Sequence, residues 1–168
     1  DSPLFKFDSA TSKYINCADD LKVKTSGWGW GTKFADFDLD GDEDLIVANG
    51  FDFENLPKEQ NIYYENSNAQ GFNGFNLKSR VNFGAVDTYS IEFQDFDYDN
   101  DGDLDLVLTN TDNNLFFYEN KVINSESTEE YSWLEVMLEG TLSNRDGIGA
   151  TLEIETTQGN VIRYFNGV

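Results

Sequence analysis

Aspartate recurs at every second position in two short stretches of this chain: Asp36-Phe-Asp38-Leu-Asp40-Gly41-Asp42-Glu-Asp44 and Asp97-Tyr-Asp99-Asn-Asp101-Gly102-Asp103-Leu-Asp105. Carboxylates a few ångströms apart repel one another and raise one another's pKa. One loop can hold so many only if a cation cancels their charge, and a hard dication with an all-oxygen shell suits that task. The feature occurs twice, with the final aspartates 105 − 44 = 61 positions apart.

The flanks of the two stretches repeat as well. Phe34-Ala-Asp36-Phe-Asp38 through Leu45-Ile-Val-Ala-Asn49 matches Phe96-Asp97-Tyr-Asp99 through Leu106-Val-Leu-Thr-Asn110. Downstream, Ile62-Tyr-Tyr-Glu65-Asn66 matches Phe116-Phe-Tyr118-Glu119-Asn120, and upstream Leu4 to Phe7 resembles Phe72 to Leu77. Short apolar runs separated by Gly, Asn and Asp clusters, with no long helical period, predict an all-β chain. In the first unit the expected strands are Leu4 to Asp8, Thr32 to Phe37 running into the acidic loop, Leu45 to Asn49 leaving it, and Asn61 to Glu65, with the grouping within the blade left open to an offset of one strand. Four short strands per repeat suit a β-propeller blade. The two blades are expected at about residues 1–66 and 67–120, a polar linker at 121–131, and the start of a small β domain at 132–168. In that last part Trp133 to Leu138 reads as a strand. Ala150 to Glu155 alternates with Leu152 and Ile154 inward, and Gln158-Gly159-Asn160 reads as a turn into Val161 to Phe165. Two blades do not close a propeller, which takes about four to eight. The chain therefore reads as a segment whose remaining blades belong to a longer parent, or as one that assembles with copies of itself.

With Asp36 as position 1 of the first loop, carboxylates stand at positions 1, 3, 5 and 9: Asp36, Asp38, Asp40 and Asp44. Gly41 permits the bend that wraps an ion. Asp42 is expected to offer its backbone carbonyl, with its side chain turned outward. Aligning the second loop on its last Asp-Leu gives Asp97, Asp99, Asp101 and Asp105, with Gly102 as the bend and Asp103 as the carbonyl donor; Asp95 is an outer-shell acceptor. The spacing resembles the first half of an EF-hand loop. An EF-hand, however, needs a bidentate Glu at position 12 and then a helix, and here position 12 is Val47 or Leu108. The expectation is a β-hairpin loop holding one Ca2+ each, because a wrapped shell of six or seven oxygens suits calcium better than magnesium.

Composition narrows the function classes. Eleven Lys and Arg against 32 Asp and Glu give 11 − 32 = −21, which repels nucleic acid and anionic lipid. Fourteen Phe and eight Tyr argue against a disordered acidic tail. A single cysteine, Cys17, permits no internal disulfide and reads as a small buried residue. With no histidine, zinc ligation and His-based acid–base catalysis lack their usual residue. No apolar run approaches the ~18 residues that a bilayer requires. No nucleophile–base constellation, phosphate loop or dinucleotide fingerprint is present, so an enzyme is not expected.

The Phe-x-Asp-x-Asp-x-Asp-Gly-Asp-x-Asp-Leu units resemble FG-GAP/VCBS repeats, the blades of integrin-α-like propellers. Gly27-Trp28-Gly29-Trp30-Gly31 and Val47-Ala48-Asn49-Gly50 resemble the subgroup that ends in an ASPIC/UnbV domain. Trp133-Leu134, Gly140 and Ser143-Asn144-Arg145-Asp146-Gly147-Ile148-Gly149-Ala150 are similar to the opening of that domain, here cut short. The resemblance implies a calcium-binding propeller, secreted or exposed on the cell surface, engaged in adhesion or recognition of a protein or glycan.

Two further readings stay open: a carbohydrate-binding or carbohydrate-processing accessory module with Trp28 and Trp30 as a stacking platform, and a purely structural segment of a large surface protein. The bland reading of Tyr63, Tyr64, Phe116, Phe117 and Tyr118 is core between blades. That of Arg145 is an ion pair or carbonyl clamp holding its turn.

Overall fold

The computed structural model describes residues 2–50, 60–66, 75–81, 90–110, 114–123, 133–142, 144–157 and 159–165. Among them are eleven strands and no helix, and every ladder is antiparallel. The chain divides into two compact units, 1–129 and 130–168. Parts of the expected linker, and Ser143, Gln158 and Gly167, lie outside the described residues.

In the first unit β1 (Phe5–Asp8) pairs with β2 (Lys13–Asn16) as a separate hairpin. A four-stranded meander follows: β3 (Gly29–Ala35), β4 (Asp44–Asn49), β5 (Asn61–Asn66) and β6 (Phe75–Val81). A three-stranded meander comes next: β7 (Ser90–Phe96), β8 (Asp105–Asn110) and β9 (Phe116–Tyr118). The expected grouping of strands is thus corrected. The strand at Leu4 to Asp8 does not join the sheet of Thr32 to Phe37; the fourth strand of that sheet comes from downstream. Sequence repeats show which strands recur, but a ladder is decided by which backbone edge lies free beside each strand.

The centre of the first sheet is apolar on both faces, and all six residues of β4 are buried. Leu45 and Val47 pack with Ile62, Tyr64 and Phe75 against Ala18 and Val23 of the preceding segment. Ile46 and Ala48 point the other way and pack with Ala35 and Phe37 against Leu106 and Leu108 of β8, joined by half-buried Tyr63, Phe116 and Tyr118. Each fully buried aliphatic side chain contributes about 1.5–3 kcal/mol. Leu106, Leu108, Phe116 and Tyr118 are the repeat equivalents of Leu45, Val47, Ile62 and Tyr64. Each sheet therefore turns the same face back toward the part of the chain before it, and the two stack head to tail. Among the aromatics expected in the core, Phe117 departs: it is 42% exposed. It sits on the face of the second sheet that points away from the first.

Cys17 is half-buried rather than fully buried, its Sγ 3.3 Å from the Leu4 carbonyl. In the second unit β10 (Thr151–Thr156) pairs with β11 (Gly159–Tyr164). Gly159 and Asn160 already lie in the ladder, opposite Thr156 and Glu155, so the reversal is earlier and tighter than expected. Trp133 to Leu138, read as a strand from its sequence, joins no ladder among the described residues. Ile154 is exposed rather than inward. A two-stranded hairpin has too little surface to bury a face.

Candidate metal centres

Each acidic loop joins the first two strands of its sheet, β3 to β4 and β7 to β8. The two loops share four hydrogen bonds position for position, and in the second the Asp101 N–H also donates to Asp97 at 3.1 Å. The Asp36 carboxylate accepts the Gly41 N–H at 3.2 Å, and Asp97 accepts the Gly102 N–H at 3.1 Å. Asp40 accepts the Asp42 N–H and Asp101 the Asp103 N–H, both at 3.1 Å. Leu39 and Asn100 share a left-handed backbone, φ 60° and 61°, as do Gly41 and Gly102, φ 97° and 101°. These pairs set the register of the second loop: Asp97 stands where Asp36 stands, and Asp105 where Asp44 stands.

The last aspartate of each loop is buried and holds the hairpin together. Asp44, 0% exposed, accepts the Phe37 N–H at 3.2 Å, the Tyr63 hydroxyl at 2.8 Å and the Asn66 N–H at 2.9 Å. Asp105, 1% exposed, accepts the Tyr98 and Asn120 N–H groups, each at 2.8 Å. Asn120 also donates its side-chain amide to the Phe37 carbonyl at 2.8 Å, tying the second sheet to the first loop. Tyr63, Asn66 and Asn120 had no assigned part in the site. The signal was available: Asn66 and Asn120 are a matched pair one strand beyond the loop.

Asp103 is expected to act through its backbone carbonyl, as its equivalent Asp42 is with the side chain turned outward. Instead its side chain is buried, the residue being 1% exposed, and one of its oxygens accepts the Ile123 N–H at 2.8 Å. The segment leaving β9 passes over the loop, and its buried N–H requires an acceptor. Asp42 is likewise half-buried. Asp95 lies in β7, where its side chain is outside the described residues.

Carboxylate oxygens converge within 4.8 Å in two triplets: Asp36, Asp38 and Asp40 in the first loop, and Asp97, Asp99 and Asp105 in the second. Burial is the main reason that Asp38 is pushed up to about 7, with the negative charges of Asp44, Asp40 and Glu65 adding to it. Asp44 and Asp103 are also raised, chiefly by burial. One buried oxygen of Asp38 and one of Asp103 have no hydrogen-bond donor among the described residues. A buried carboxylate oxygen with no donor is costly unless a cation meets it. The donor set is all oxygen and highly charged, and with loop carbonyls it can supply the six to eight ligands of calcium. The residues present therefore fit that ion.

Trp28 is 56% exposed and lines a cleft of about 840 Å³ whose floor includes Leu45, Val47 and Ile62. Trp30 is 53% exposed, and its indole N–H donates to the Gly50 carbonyl at 2.6 Å. Asn49 carries the Gly-Trp-Gly segment: its buried side-chain amide donates to the Ser26 carbonyl at 2.7 Å and the Gln60 carbonyl at 2.9 Å. A Cβ on Gly27, φ 84°, would come within 2.9 Å of that amide, so only glycine fits there. In the second unit the Gly-rich turn is held by the Asn144 side chain, which accepts the Ile148 N–H at 2.6 Å and donates to the Ile148 carbonyl at 3.0 Å. Arg145 contributes its backbone carbonyl, to Gly140, while its side chain is exposed and makes no ion pair among the described residues.

Comparison with protein-family models, with curated proteins and with solved structures found no match.

Proposed function

We propose that this chain is a calcium-binding segment of an extracellular β-propeller of the FG-GAP/VCBS kind, acting as an adhesion or recognition scaffold rather than as an enzyme. One observation carries the reading: the same aspartate loop is built twice with four hydrogen bonds in common, and each copy keeps a buried carboxylate oxygen with no donor among the described residues. Calcium would neutralise the converging carboxylates and pin the hairpin, leaving other loops free to recognise a partner. Asp36, Asp38 and Asp40 would serve the first ion, with Asp44 closing the hairpin behind them, and Asp97, Asp99, Asp101 and Asp105 the second, with Asp42 and Asp103 adding backbone oxygens. The head-to-tail stacking of the two sheets supports a propeller arrangement. The outer face of the second sheet, with Phe96, Tyr98 and Phe117 in mutual ring contact, corresponds to the face of the first sheet that receives its neighbour. A further blade of a longer parent would cover it.

Isothermal titration of the metal-stripped chain with Ca2+, checked by elemental analysis, tests the reading. Two ions per chain are expected, falling to one in Asp36→Asn or in Asp97→Asn. A chain that takes up no calcium rules the proposal out.

The exposure of Trp28 beside a cleft favours a second reading, a glycan-binding module. A glycan array decides it: binding lost in Trp28→Ala but insensitive to chelator supports that module, and no glycan bound at all removes it.

A further inference from the structure

The two loops share their register but not their surroundings. Tyr63 of β5 sits opposite Ile46, and its repeat equivalent on β9, opposite Val107, is Phe117. The Tyr63 hydroxyl donates to the Asp44 carboxylate at 2.8 Å, on the same oxygen that accepts the Phe37 N–H at 3.2 Å. The other Asp44 oxygen accepts the Asn66 N–H. A carboxylate offers about four lone-pair sites, so three of those of Asp44 are taken. Phe117 has no hydroxyl. Asp105 therefore accepts a single backbone N–H on each oxygen and keeps one lone pair on each. The convergence of oxygens follows the same division: Asp105 belongs to the triplet of its loop, with Asp97 and Asp99, whereas the first triplet is Asp36, Asp38 and Asp40 without Asp44.

We propose that residues 63 and 117 make the two calcium sites unequal. Tyr63 holds Asp44 back from the first ion, and Phe117 leaves Asp105 free to ligate the second. The inference rests on the calcium reading above and goes beyond it, because the repeat by itself implies equal sites. Calcium affinity follows the number of charged ligands and the rigidity of the loop. Each triplet includes one exposed aspartate, Asp40 or Asp99, but the second has in Asp105 a buried ligand fixed by two backbone N–H groups, where the first has only half-buried ones. The second site is consequently the tighter and fills first as calcium rises, and the first responds over a higher range.

The test is a chelator-competition titration of the whole chain with Ca2+, comparing wild type, Tyr63→Phe and Phe117→Tyr. Asp36→Asn and Asp97→Asn assign each constant to its loop. Two constants about tenfold apart are expected in the wild type, the size that one hydrogen bond to a carboxylate can carry. Tyr63→Phe should tighten the weaker site about tenfold and leave the other alone; Phe117→Tyr should weaken the tighter one. Phe117 is partly exposed and accepts a hydroxyl without repacking, so that variant decides the matter even if Tyr63→Phe fails to fold. Two ions bound with equal constants that neither substitution moves would overturn the inference while leaving the calcium reading intact. No calcium bound by any variant would overturn both.

Discussion

Leu39 and Asn100 occupy the same left-handed position in their loops. A leucine pays for that conformation through its Cβ, whereas asparagine tolerates it. Leu39→Asn should therefore stabilise the chain by about 0.5–1 kcal/mol, read as a higher urea midpoint at unchanged slope in calcium-saturated buffer. Asn49 is the opposite case. Its amide satisfies two carbonyls 11 and 23 positions away, at Gln60 and Ser26, and is 2% exposed. Asn49→Ala strands both carbonyls and should cost about 2–4 kcal/mol by the same measurement. Asn49→Asp should be no milder, since a carboxylate cannot donate to either.

At the level of the element, the acidic hairpin is stable only when its charge is balanced. In the calcium-free chain Asp38 has a folded pKa near 7, against an ordinary value of 3.8. Between those values the folded chain holds a proton that the unfolded chain has released, so the difference in bound protons makes stability fall as pH rises. The loss begins above about pH 4 and is complete by about pH 8. In saturating calcium the ion replaces the proton and this slope should flatten. Melting curves from pH 4.5 to 8, with calcium and with chelator, check it. An equal slope in both would mean that no ion displaces the Asp38 proton. Asp38→Asn should remove much of the slope from the calcium-free chain.

At the scale of the whole molecule the two proposed ions would act by mass action. With affinities typical of extracellular modules, about 10⁻⁴–10⁻³ M, millimolar calcium adds roughly 0.4–1.4 kcal/mol per site. Relief of carboxylate repulsion adds to that. Chelation should therefore lower the melting temperature of the sheet-bearing unit, residues 1–129, by about 3–10 °C. On the proposed inequality of the two sites, Asp97→Asn should abolish more of this shift than Asp36→Asn. The second unit carries no aspartate loop of this kind, and its hairpin leaves Ile154, Ile162 and Tyr164 exposed. Its signal in hydrogen exchange should be weak and indifferent to calcium.

The aspartate loops and the strands on either side of them were legible in the residues alone, because each depends on local spacing: alternate positions, a glycine bend, a short apolar run. The partners of those groups were not. That Phe75–Val81 rather than Leu4–Asp8 completes the first sheet depends on which edge is free beside β5. That Asp103 is buried depends on Ile123 passing over its loop, and that Asp44 and Asp105 differ depends on a hydroxyl present at Tyr63 and missing at Phe117. Local spacing is written along the backbone and survives in the sequence. A hydrogen bond or an edge pairing between residues tens of positions apart exists only once the chain has brought them within 3 Å or so, and that is decided by the packing of whole sheets.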